Sequence, residues 1–364
     1  MADDLGYGGI GCYGNPSIQT PNLDHMAQNG LKLTSYYANS AVCSPTRAAL
    51  MTGRYQQRSG MEGVIYVRGA SRKLGMALEE ITLAEMLKRK GYITGIMGKW
   101  HLGYNKKFNP IHQGFDTFYG YRSGNIDFHT HYDNAGIFDW YHGEDTLNEQ
   151  GYVTDLITRH SIDFIKEHQH QPFFLYVAHQ APHAPFQGRN DPGYRFPDSA
   201  FSYYGPVEDK HAAYREMVEV MDEGIGDILE TLKELKLETN TLVVFVSDNG
   251  AEADYGDNGS LRGHKTTLFE GGIKVPGLVY WPGTIDGGES NQPVVSFDWM
   301  PTLMSLAQVP IPEALKLDGM DLSEFLLSHD PLPERNLFWR YREQKAIREN
   351  DYKLLLSKDS TYLF

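Results

Sequence analysis

One short segment combines a potential nucleophile with groups that bind an anion. Ser44 is a typical N-cap, Pro45 suits the first position of a helix, and Gly53 suits its end. These signals predict that Cys43 lies just before a helix N-terminus, with Arg47 on the first turn. Free backbone N–H groups, the helix dipole and a guanidinium then converge near the thiol. The segment therefore predicts an anion-binding site that contains a nucleophile.

Further polar clusters follow predicted buried strands, which is where ligands bind in open α/β sheets. Asp3 and Asp4 stand at the start of the chain, before a glycine-rich turn. The other clusters are Lys99 with His101, His179 with His183, and Asp248 with Asn249. Because parallel strands end at the same edge of a sheet, we expect these side chains to lie close together.

The elements that must carry these clusters alternate between helix and strand. Thr82 and Glu85 form a capping box, which indicates the start of a helix. Periodicity predicts helices over residues 153–168 and 209–235, and strands over residues 92–97, 173–178 and 241–247. This alternation, with near-continuous apolar strands, predicts an α/β fold in which helices sandwich a mostly parallel central sheet.

After about residue 310 the pattern changes to short strands joined by polar turns. The predicted strands are 337–342, 345–348 and 352–356. They indicate a small antiparallel C-terminal subdomain. We therefore divide the chain into a main α/β domain, residues 1–310, and the start of the antiparallel subdomain, residues 311–364.

Composition excludes several classes of protein. The 364 residues are 41% hydrophobic, which is enough for a sizeable core. The net charge of −14 argues against a nucleic-acid-binding protein, although a few cations or a metal can still attract an anionic substrate locally. No apolar run approaches the ~18 residues of a membrane span, so none is predicted. Two cysteines, Cys12 and Cys43, are too few for a disulfide scaffold.

The segment from Cys43 to Arg47 resembles the Cys-x-Pro-(Ser/Ala/Thr)-Arg signature of the type I, formylglycine-dependent sulfatases of the alkaline phosphatase superfamily. Thr46 stands where serine is commonest in that signature. Other blocks resemble the remaining family motifs in the same order, at residues 2–8, 98–103, 247–250 and 263–272. The resemblance covers nearly the whole chain. It points towards arylsulfatases and sulfatases of N-acetylgalactosamine or other glycans.

The resemblance implies that a maturation enzyme oxidises Cys43 to formylglycine, whose aldehyde hydrates to a geminal diol. One hydroxyl attacks sulfur and displaces the alcohol. The second hydroxyl then loses its proton, and the re-formed carbonyl expels sulfate, a step that serine could not take. The resemblance also implies a first strand before Asp3, further sequence after Phe364, and a periplasmic, secreted or lysosomal compartment. The chain itself shows no signal peptide.

By the same resemblance, a metal ion binds beside Cys43. Asp3, Asp4, Asp248 and Asn249 offer only hard oxygen ligands, and the diol at Cys43 would complete the set. Such ligands suit Ca²⁺ or Mg²⁺ better than zinc. Ca²⁺ is the ion that the family usually uses, so we expect Ca²⁺ here.

The resemblance also assigns roles to the cationic and titratable residues. Lys99 and Lys265 are expected to bind the sulfate oxygens. Arg47 is expected to orient the diol and neutralise carboxylates. His101 is the candidate base for breaking the sulfated hemiacetal, and His183 is the candidate contact to the bridging oxygen, where it would help to protonate the leaving alcohol.

Two other functions fit the same residues. A phosphatase or phosphonate monoester hydrolase shares the scaffold, and paired rates on aryl sulfate and aryl phosphate would distinguish it. A non-catalytic relative that binds sulfated glycans predicts an unmodified Cys43. Between the neighbouring histidines, His183 is preferred over His179, because residues 181–185 match the family pattern Ala-Pro-His-x-Pro. The aromatic segment 119–143 is expected to line a cleft for a sulfated saccharide.

Overall fold

Helices and strands alternate along most of the chain. The computed structural model describes residues 1–328, 330–358 and 360–364. The α-helices are α1 (Pro21–Asn29), α2 (Cys43–Thr52), α3 (Leu83–Arg89), α4 (Val153–His168), α5 (Lys210–Glu234), α6 (Glu270–Ile273), α7 (Trp299–Leu306) and α8 (Ser323–Ser328). The strands are β1 (Leu31–Leu33), β2 (Tyr36–Tyr37), β3 (Ile93–Lys99), β4 (Thr117–Tyr121), β5 (Tyr141–His142), β6 (Asp145–Thr146), β7 (Phe173–Ala178), β8 (Val243–Val246), β9 (Gly277–Tyr280), β10 (Gly288–Ser290), β11 (Val294–Val295), β12 (Asn336–Tyr341), β13 (Gln344–Glu349), β14 (Tyr352–Ser357) and β15 (Ser360–Leu363).

Two mixed sheets meet at the first residues of the chain. Strand β3 pairs in parallel with β4 and β7, and β5 and β6 continue this sheet in antiparallel pairs. The second sheet has the order β10-β1-β9-β8. Between β7 and β8, the Met1 carbonyl accepts from the His179 N–H at 3.0 Å, and the Ala2 N–H donates to the Val246 carbonyl at 2.8 Å. The predicted α/β class is confirmed, with parallel pairing at the centre and antiparallel pairs on both sides.

The helices beside these sheets begin where local signals predict. At α3, Thr82 and Glu85 each accept a hydrogen bond from the other's backbone N–H, which completes the capping box. Helix α4 has the predicted bounds, and Asp209 caps α5 by accepting from the Ala212 N–H at 2.9 Å. Helix α5 buries Met217 among the apolar residues of its inner face. Among the described residues, no helix combines the length and apolar character needed to cross a bilayer.

The C-terminal strands β12 to β15 form an antiparallel sheet through successive hairpins. On its inner face, Trp339 packs on Tyr37 with ring centroids 5.3 Å apart. The Trp339 Nε1 atom donates to the Ala38 carbonyl at 2.9 Å. The sheet therefore rests against the segment that leads to Cys43. The antiparallel C-terminal structure is confirmed, and the division of the chain at residue 310 stays a prediction.

Candidate active site

The predicted polar clusters, apart from His179, meet at one edge of the central sheet. Lys99 ends β3, and Asp248 lies two residues beyond the end of β8. Asp3 follows the first two residues of the chain, which pair between β7 and β8. One side-chain atom from each of Asp3, Cys43 and Asp248 lies within 4.8 Å of the others. The strand ends thus bring together residues that are more than 200 positions apart in the sequence.

Arg47 and Lys99 balance two carboxylates at the bottom of the site. The Arg47 Nε and Nη2 atoms lie 2.9 and 2.8 Å from Asp248 Oδ2. Lys99 Nζ lies 2.5 Å from Asp3 Oδ2, and Arg47 Nη2 lies 3.8 Å from Asp3 Oδ1. All four side chains are fully buried. Burial, together with the neighbouring Asp248 carboxylate, raises the pKa of Asp3, so a further cation beside it would stabilise its ionised form.

Asp4 connects this cluster to Lys265 and His183. Its Oδ2 atom lies 2.5 Å from Lys265 Nζ and 3.5 Å from His183 Nε2. Its Oδ1 atom accepts from Asn249 Nδ2 at 2.7 Å. Burial raises the pKa of Asp4, but the attraction of Lys265 and His183 outweighs burial and holds that pKa at about 2. Asp4 therefore stays ionised and anchors the Lys265 ammonium.

Helix α2 begins at Cys43 rather than after it. Val42 is its N-cap and makes no side-chain capping bond. The Ser44 hydroxyl instead accepts from the Ile65 N–H at 3.3 Å. The prediction that Ser44 caps the helix is therefore wrong, because the helix begins at Cys43 and Ser44 lies within its first turn. Gly53 ends the helix as predicted, in the left-handed conformation with φ of 63°.

The unmodified thiol of Cys43 is a poor nucleophile in these surroundings. Burial raises its pKa to about 11, and the nearby Lys99 ammonium offsets this only in part. The carboxylates of Asp3 and Asp248 raise the pKa further. Because the thiolate is the nucleophilic form of cysteine, the protonated side chain is unreactive near neutral pH.

Two buried oxygens of the cluster, Asp3 Oδ1 and Asn249 Oδ1, have no hydrogen-bond partner. Leaving a buried polar group unpaired costs about 1–3 kcal/mol. A divalent cation bound by oxygen ligands would satisfy both atoms. With the carboxylates of Asp4 and Asp248 nearby, the donor set fits Ca²⁺ or Mg²⁺, which prefer hard oxygen ligands.

The two candidate histidines are buried, and a backbone carbonyl fixes one ring nitrogen of each. His101 Nε2 donates to the Ile65 carbonyl at 2.9 Å, and its Nδ1 has no partner. His183 Nδ1 donates to the Ala184 carbonyl at 2.6 Å, while its Nε2 lies 3.3 Å from Lys265 Nζ. A carbonyl can only accept a hydrogen bond, so the other nitrogen of each ring is the basic one. Burial lowers the pKa of both rings.

Comparison with known proteins identifies the family. Residues 1–309 match the family model described as Sulfatase. The chain belongs to the sulfatase family. It is 36% identical to human arylsulfatase A over 97% of this chain and 73% of that protein. It is also 36% identical to human N-acetylgalactosamine-6-sulfatase over 93% of this chain and 67% of that protein. The crystal structure of Ps i-CgsB in complex with k-i-k-neocarrahexaose matches with a TM-score of 0.90 and 31% identity, over all of this chain and 84% of that one.

The sulfatase is therefore a sulfuric ester hydrolase, as its motifs predict. Its fold is alkaline phosphatase-like, and the family implies a metal site, for which the structure provides buried acidic residues. A phosphonate monoester hydrolase from Silicibacter pomeroyi has a TM-score of 0.70 but only 16% identity. That likeness shows the fold alone and does not favour the alternative activity.

His179, the other histidine after β7, makes no side-chain hydrogen bond with the site residues among those the structure describes. His179 lines an apolar cavity of about 220 Å³ together with Met1, and neither of its ring nitrogens has a hydrogen-bond partner. Burial lowers its pKa to about 3. His183, in contrast, lies 3.5 Å from Asp4. The tertiary structure thus separates two histidines that are only four residues apart.

Two rings of the aromatic segment 119–143, Tyr119 and Trp140, are not available for stacking on a sugar. Trp140 is fully buried, and its Nε1 atom donates to Glu149. Tyr119 is stacked between His142 and His160, with ring centroids 4.1 and 3.9 Å away. The prediction is wrong for these two aromatic residues, because protein side chains already cover their ring faces.

Glu252 and Tyr203 reach the site of the sulfatase although the motifs did not reveal them. Glu252 Oε1 lies 3.0 Å from Lys265 Nζ, and the Tyr203 hydroxyl lies 3.5 Å from His183 Nε2. The Glu252 side chain is 23% exposed and Tyr203 is 40% exposed, so both lie at the entrance. Glu252 stands three residues after Asn249, which is a weak signal. Tyr203 lies in a segment without a motif.

Glycines allow the loops around the site to approach one another closely. A Cβ atom at Gly6 would lie 2.1 Å from the Asp257 carbonyl oxygen. A Cβ atom at Gly250 would lie 1.8 Å from the Gly271 carbonyl oxygen. The glycines after Asp4 and after Asn249 therefore serve backbone packing around the acidic cluster.

Proposed function

We propose that this sulfatase removes sulfate from a sulfated carbohydrate. The names of N-acetylgalactosamine-6-sulfatase and of the Ps i-CgsB complex with a neocarrahexaose support a carbohydrate substrate. One observation carries the proposal: a nucleophile precursor, two lysines and unpaired oxygens share one buried cluster. The residues concerned are Cys43, Lys99, Lys265, Asp3 and Asn249. Preorganised cations of this kind stabilise an anionic ester and the charge that develops as it reacts.

The proposed nucleophile is formylglycine, produced from Cys43 by a maturation enzyme. Its hydrated form supplies an oxygen nucleophile and a second hydroxyl that permits release of the sulfate. Helix α2 begins at residue 43, so its free N–H groups favour negative charge there. Arg47, one turn further along the helix, donates from Nε to Asp248 Oδ2 and forms an ion pair with the same oxygen through Nη2, which keeps the charge of that carboxylate balanced.

The proposed metal is Ca²⁺, with Asp3, Asp4, Asp248 and Asn249 as its protein ligands. When bound, such an ion lowers the pKa of an oxygen nucleophile and reduces repulsion between anions. All four side chains make hydrogen bonds or ion pairs to one another or to Arg47 and Lys99, as described above. These contacts hold the oxygen atoms in place before an ion arrives, which limits reorganisation on binding.

Lys99 and Lys265 are the proposed sulfate-binding cations, and they pair with Asp3 and Asp4 respectively. His183 directs Nε2 towards Lys265 and is the proposed donor to the leaving alcohol once it carries a proton. His101 keeps Nδ1 without a protein partner, so this nitrogen is available as the proposed base. Arg47 stays within the buried ion pairs and orients the groups around residue 43.

Release of inorganic sulfate from defined sulfated saccharides by the matured enzyme tests this proposal. Mass spectrometry of the peptide that contains Cys43 should show the mass loss of replacing CH₂SH with CHO. Aryl sulfate and aryl phosphate serve as paired substrates, and turnover of the sulfate should dominate. Faster turnover of the phosphate, or full activity with an alkylatable thiol at Cys43, would contradict the proposal.

We propose that the protein is periplasmic, secreted or lysosomal. In these locations the matured sulfatase can reach sulfated polysaccharides. Fractionation of the native host, with sulfatase activity and an antibody against this chain as readouts, tests the assignment. Activity confined to the cytosol would contradict it.

A further inference from the structure

The turn that follows Lys265 has an unfavourable backbone conformation. Thr266 has a φ of 73°, in the left-handed region. A β-branched residue rarely adopts this conformation, because its Cβ substituents crowd the backbone. Such strain persists only where surrounding contacts hold the residue in place. The contacts around Thr266 therefore decide where the Lys265 side chain begins.

Two distant parts of the chain hold this turn. The Thr266 N–H donates to the carbonyl of Ala41, two residues before Cys43, at 2.8 Å. The Thr266 carbonyl accepts from Gln344 Nε2 at 3.0 Å, and Gln344 Oε1 accepts from the Leu268 N–H at 2.9 Å. The Gln344 amide thus bridges both sides of the turn with its donor and its acceptor.

Gln344 belongs to the C-terminal sheet, where it begins β13. The same sheet contributes Lys353, whose Nζ atom donates to the Leu268 carbonyl and to Glu270 Oε1, both at 2.7 Å. Lys353 contacts Leu268 and Glu270, which follow the turn, whereas Gln344 contacts the strained Thr266 itself. Gln344 is therefore the side chain of this sheet that restrains the residue next to Lys265.

The position of the Lys265 main chain matters because its ammonium contacts three side chains at short distances. Lys265 Nζ lies 2.5 Å from Asp4, 3.0 Å from Glu252 and 3.3 Å from His183. The side chain is nearly buried, so few rotamers can compensate for a shift of the backbone. A displaced turn would withdraw the cation from the place where sulfate binds.

We infer that Gln344 is a positioning residue, which holds the strained Lys265–Thr266 turn so that the Lys265 ammonium meets the sulfate group. The inference rests on the proposed sulfate-binding role of Lys265. It gives the C-terminal antiparallel sheet a part in the site of the α/β domain, although Gln344 itself touches no reacting atom.

The first test replaces Gln344 with methionine, which keeps the length of the side chain and removes both hydrogen bonds. Binding of inorganic sulfate, measured by calorimetry, should weaken by roughly 2- to 150-fold, the range for coupling between contacting residues. KM for a sulfate ester should rise by a similar factor. Lys345→Met is the matched control, because Lys345 is the next residue along β13 and is exposed.

A double-mutant cycle then asks whether Gln344 acts through Lys265. In the Lys265→Ala background, Gln344→Met should cause no further loss of sulfate binding. A purely structural role would instead weaken binding equally in both backgrounds. A second variant, Gln344→Glu, keeps the acceptor for the Leu268 N–H and removes only the donor to Thr266, so it should also weaken sulfate binding.

Hydrogen exchange supplies a readout that does not depend on catalysis. In Gln344→Met the peptide that covers residues 264–270 should exchange faster than in the wild type and in Lys345→Met, because Leu268 loses its acceptor. If the wild-type enzyme releases no sulfate, the proposed function is wrong. Hydrogen exchange and sulfate binding still test the positioning role of Gln344, because neither measurement depends on catalysis. Unchanged exchange and unchanged sulfate binding in both Gln344 variants would overturn the inference.

Discussion

The floor of the site and its entrance differ in how firmly the protein holds them. We define the floor as Asp3, Arg47, Lys99, Asp248 and Asn249, and the entrance as Tyr203 and Glu252. Every floor side chain is fully buried, and Arg47 and Lys99 bind carboxylates from other segments. At the entrance, Tyr203 and Glu252 are partly exposed, and each makes a single contact with the catalytic residues.

This difference separates chemistry from substrate selection. Lys99 ends β3 and Asp248 follows β8, so the backbone hydrogen bonds of the sheet determine their spacing, while Arg47 reaches the floor from helix α2. The entrance residues lie in loops, whose side chains can adjust to the alcohol part of a substrate. Changes in the floor should therefore abolish turnover of every sulfate ester. Changes at the entrance should alter KM and the preference among substrates.

The largest effect is expected at Cys43. Cys43→Ala removes the precursor of the nucleophile, so sulfate release should fall by roughly 10⁴-fold or more, as in other enzymes that lose their nucleophile. The alanine fits the same buried position, so the melting temperature should change little. Cys12→Ala is the matched control, since Cys12 lies outside the site, and it should retain full activity. Substantial turnover by Cys43→Ala would contradict the assignment.

The next effect concerns the metal. Asp248→Asn keeps the shape of the side chain but removes one negative charge, so bound metal and sulfate release should be lost together. The change also leaves Arg47 without its strongest partner, and breaking such buried pairs costs about 3–5 kcal/mol of stability. Elemental analysis and thermal unfolding measure both consequences.

Asp257→Asn provides the control for this experiment, because Asp257 lies on a neighbouring loop and bonds to Asn15 and Gly259 instead. This variant should keep its metal. Full activity in metal-free wild-type enzyme would refute the metal assignment.

The two histidines allow the order of the steps to be tested. His183→Ala should slow sugar-sulfate turnover by roughly 10²–10⁴-fold, the usual contribution of general acid–base catalysis. It should slow an activated aryl sulfate much less, because an acidic phenol leaves without protonation. His101→Ala should slow both substrates alike and let a sulfated enzyme accumulate, since its step follows departure of the alcohol.

Steady-state rates on both substrates, with intact-mass detection of the sulfate ester, measure these outcomes. His179→Ala is a useful control, because this ring lies in the apolar cavity and should affect neither substrate selectively. Equal penalties for His183→Ala on the two substrates, with no ester trapped in His101→Ala, would show that the roles are misassigned.

The smallest effect is expected at the entrance. Tyr203→Ala removes a partly exposed ring beside His183, so KM for a sulfated saccharide should rise by roughly 3- to 10-fold, as expected for aromatic contacts of about 0.5–1.5 kcal/mol. The change in kcat should be small. Tyr352→Ala, at an exposed tyrosine of the C-terminal sheet, is the control. A large loss of kcat in Tyr203→Ala would place this residue in the floor rather than at the entrance.

Local sequence signals predicted the main elements well. The bounds of α4 and β7 agree with the periodicity, and the Thr82–Glu85 capping box starts α3. These features depend on residues close together in the chain, so short-range patterns are sufficient. Ser44 shows the limit of such signals. The sequence predicts that it caps α2, but the helix begins at Cys43, and the Ser44 hydroxyl accepts from the Ile65 N–H instead.

The amino-acid sequence by itself determined the chemical types present: a cysteine in a helix-start motif, hard oxygen ligands after strands, and lysines and histidines near them. The tertiary structure alone decided which of these groups face one another. It left the oxygens of Asp3 and Asn249 unpaired, directed His183 rather than His179 to the site, and brought Gln344 to the turn after Lys265. Motifs record residue types over short distances, whereas these contacts join segments far apart in the chain, and only packing of the whole fold sets their geometry.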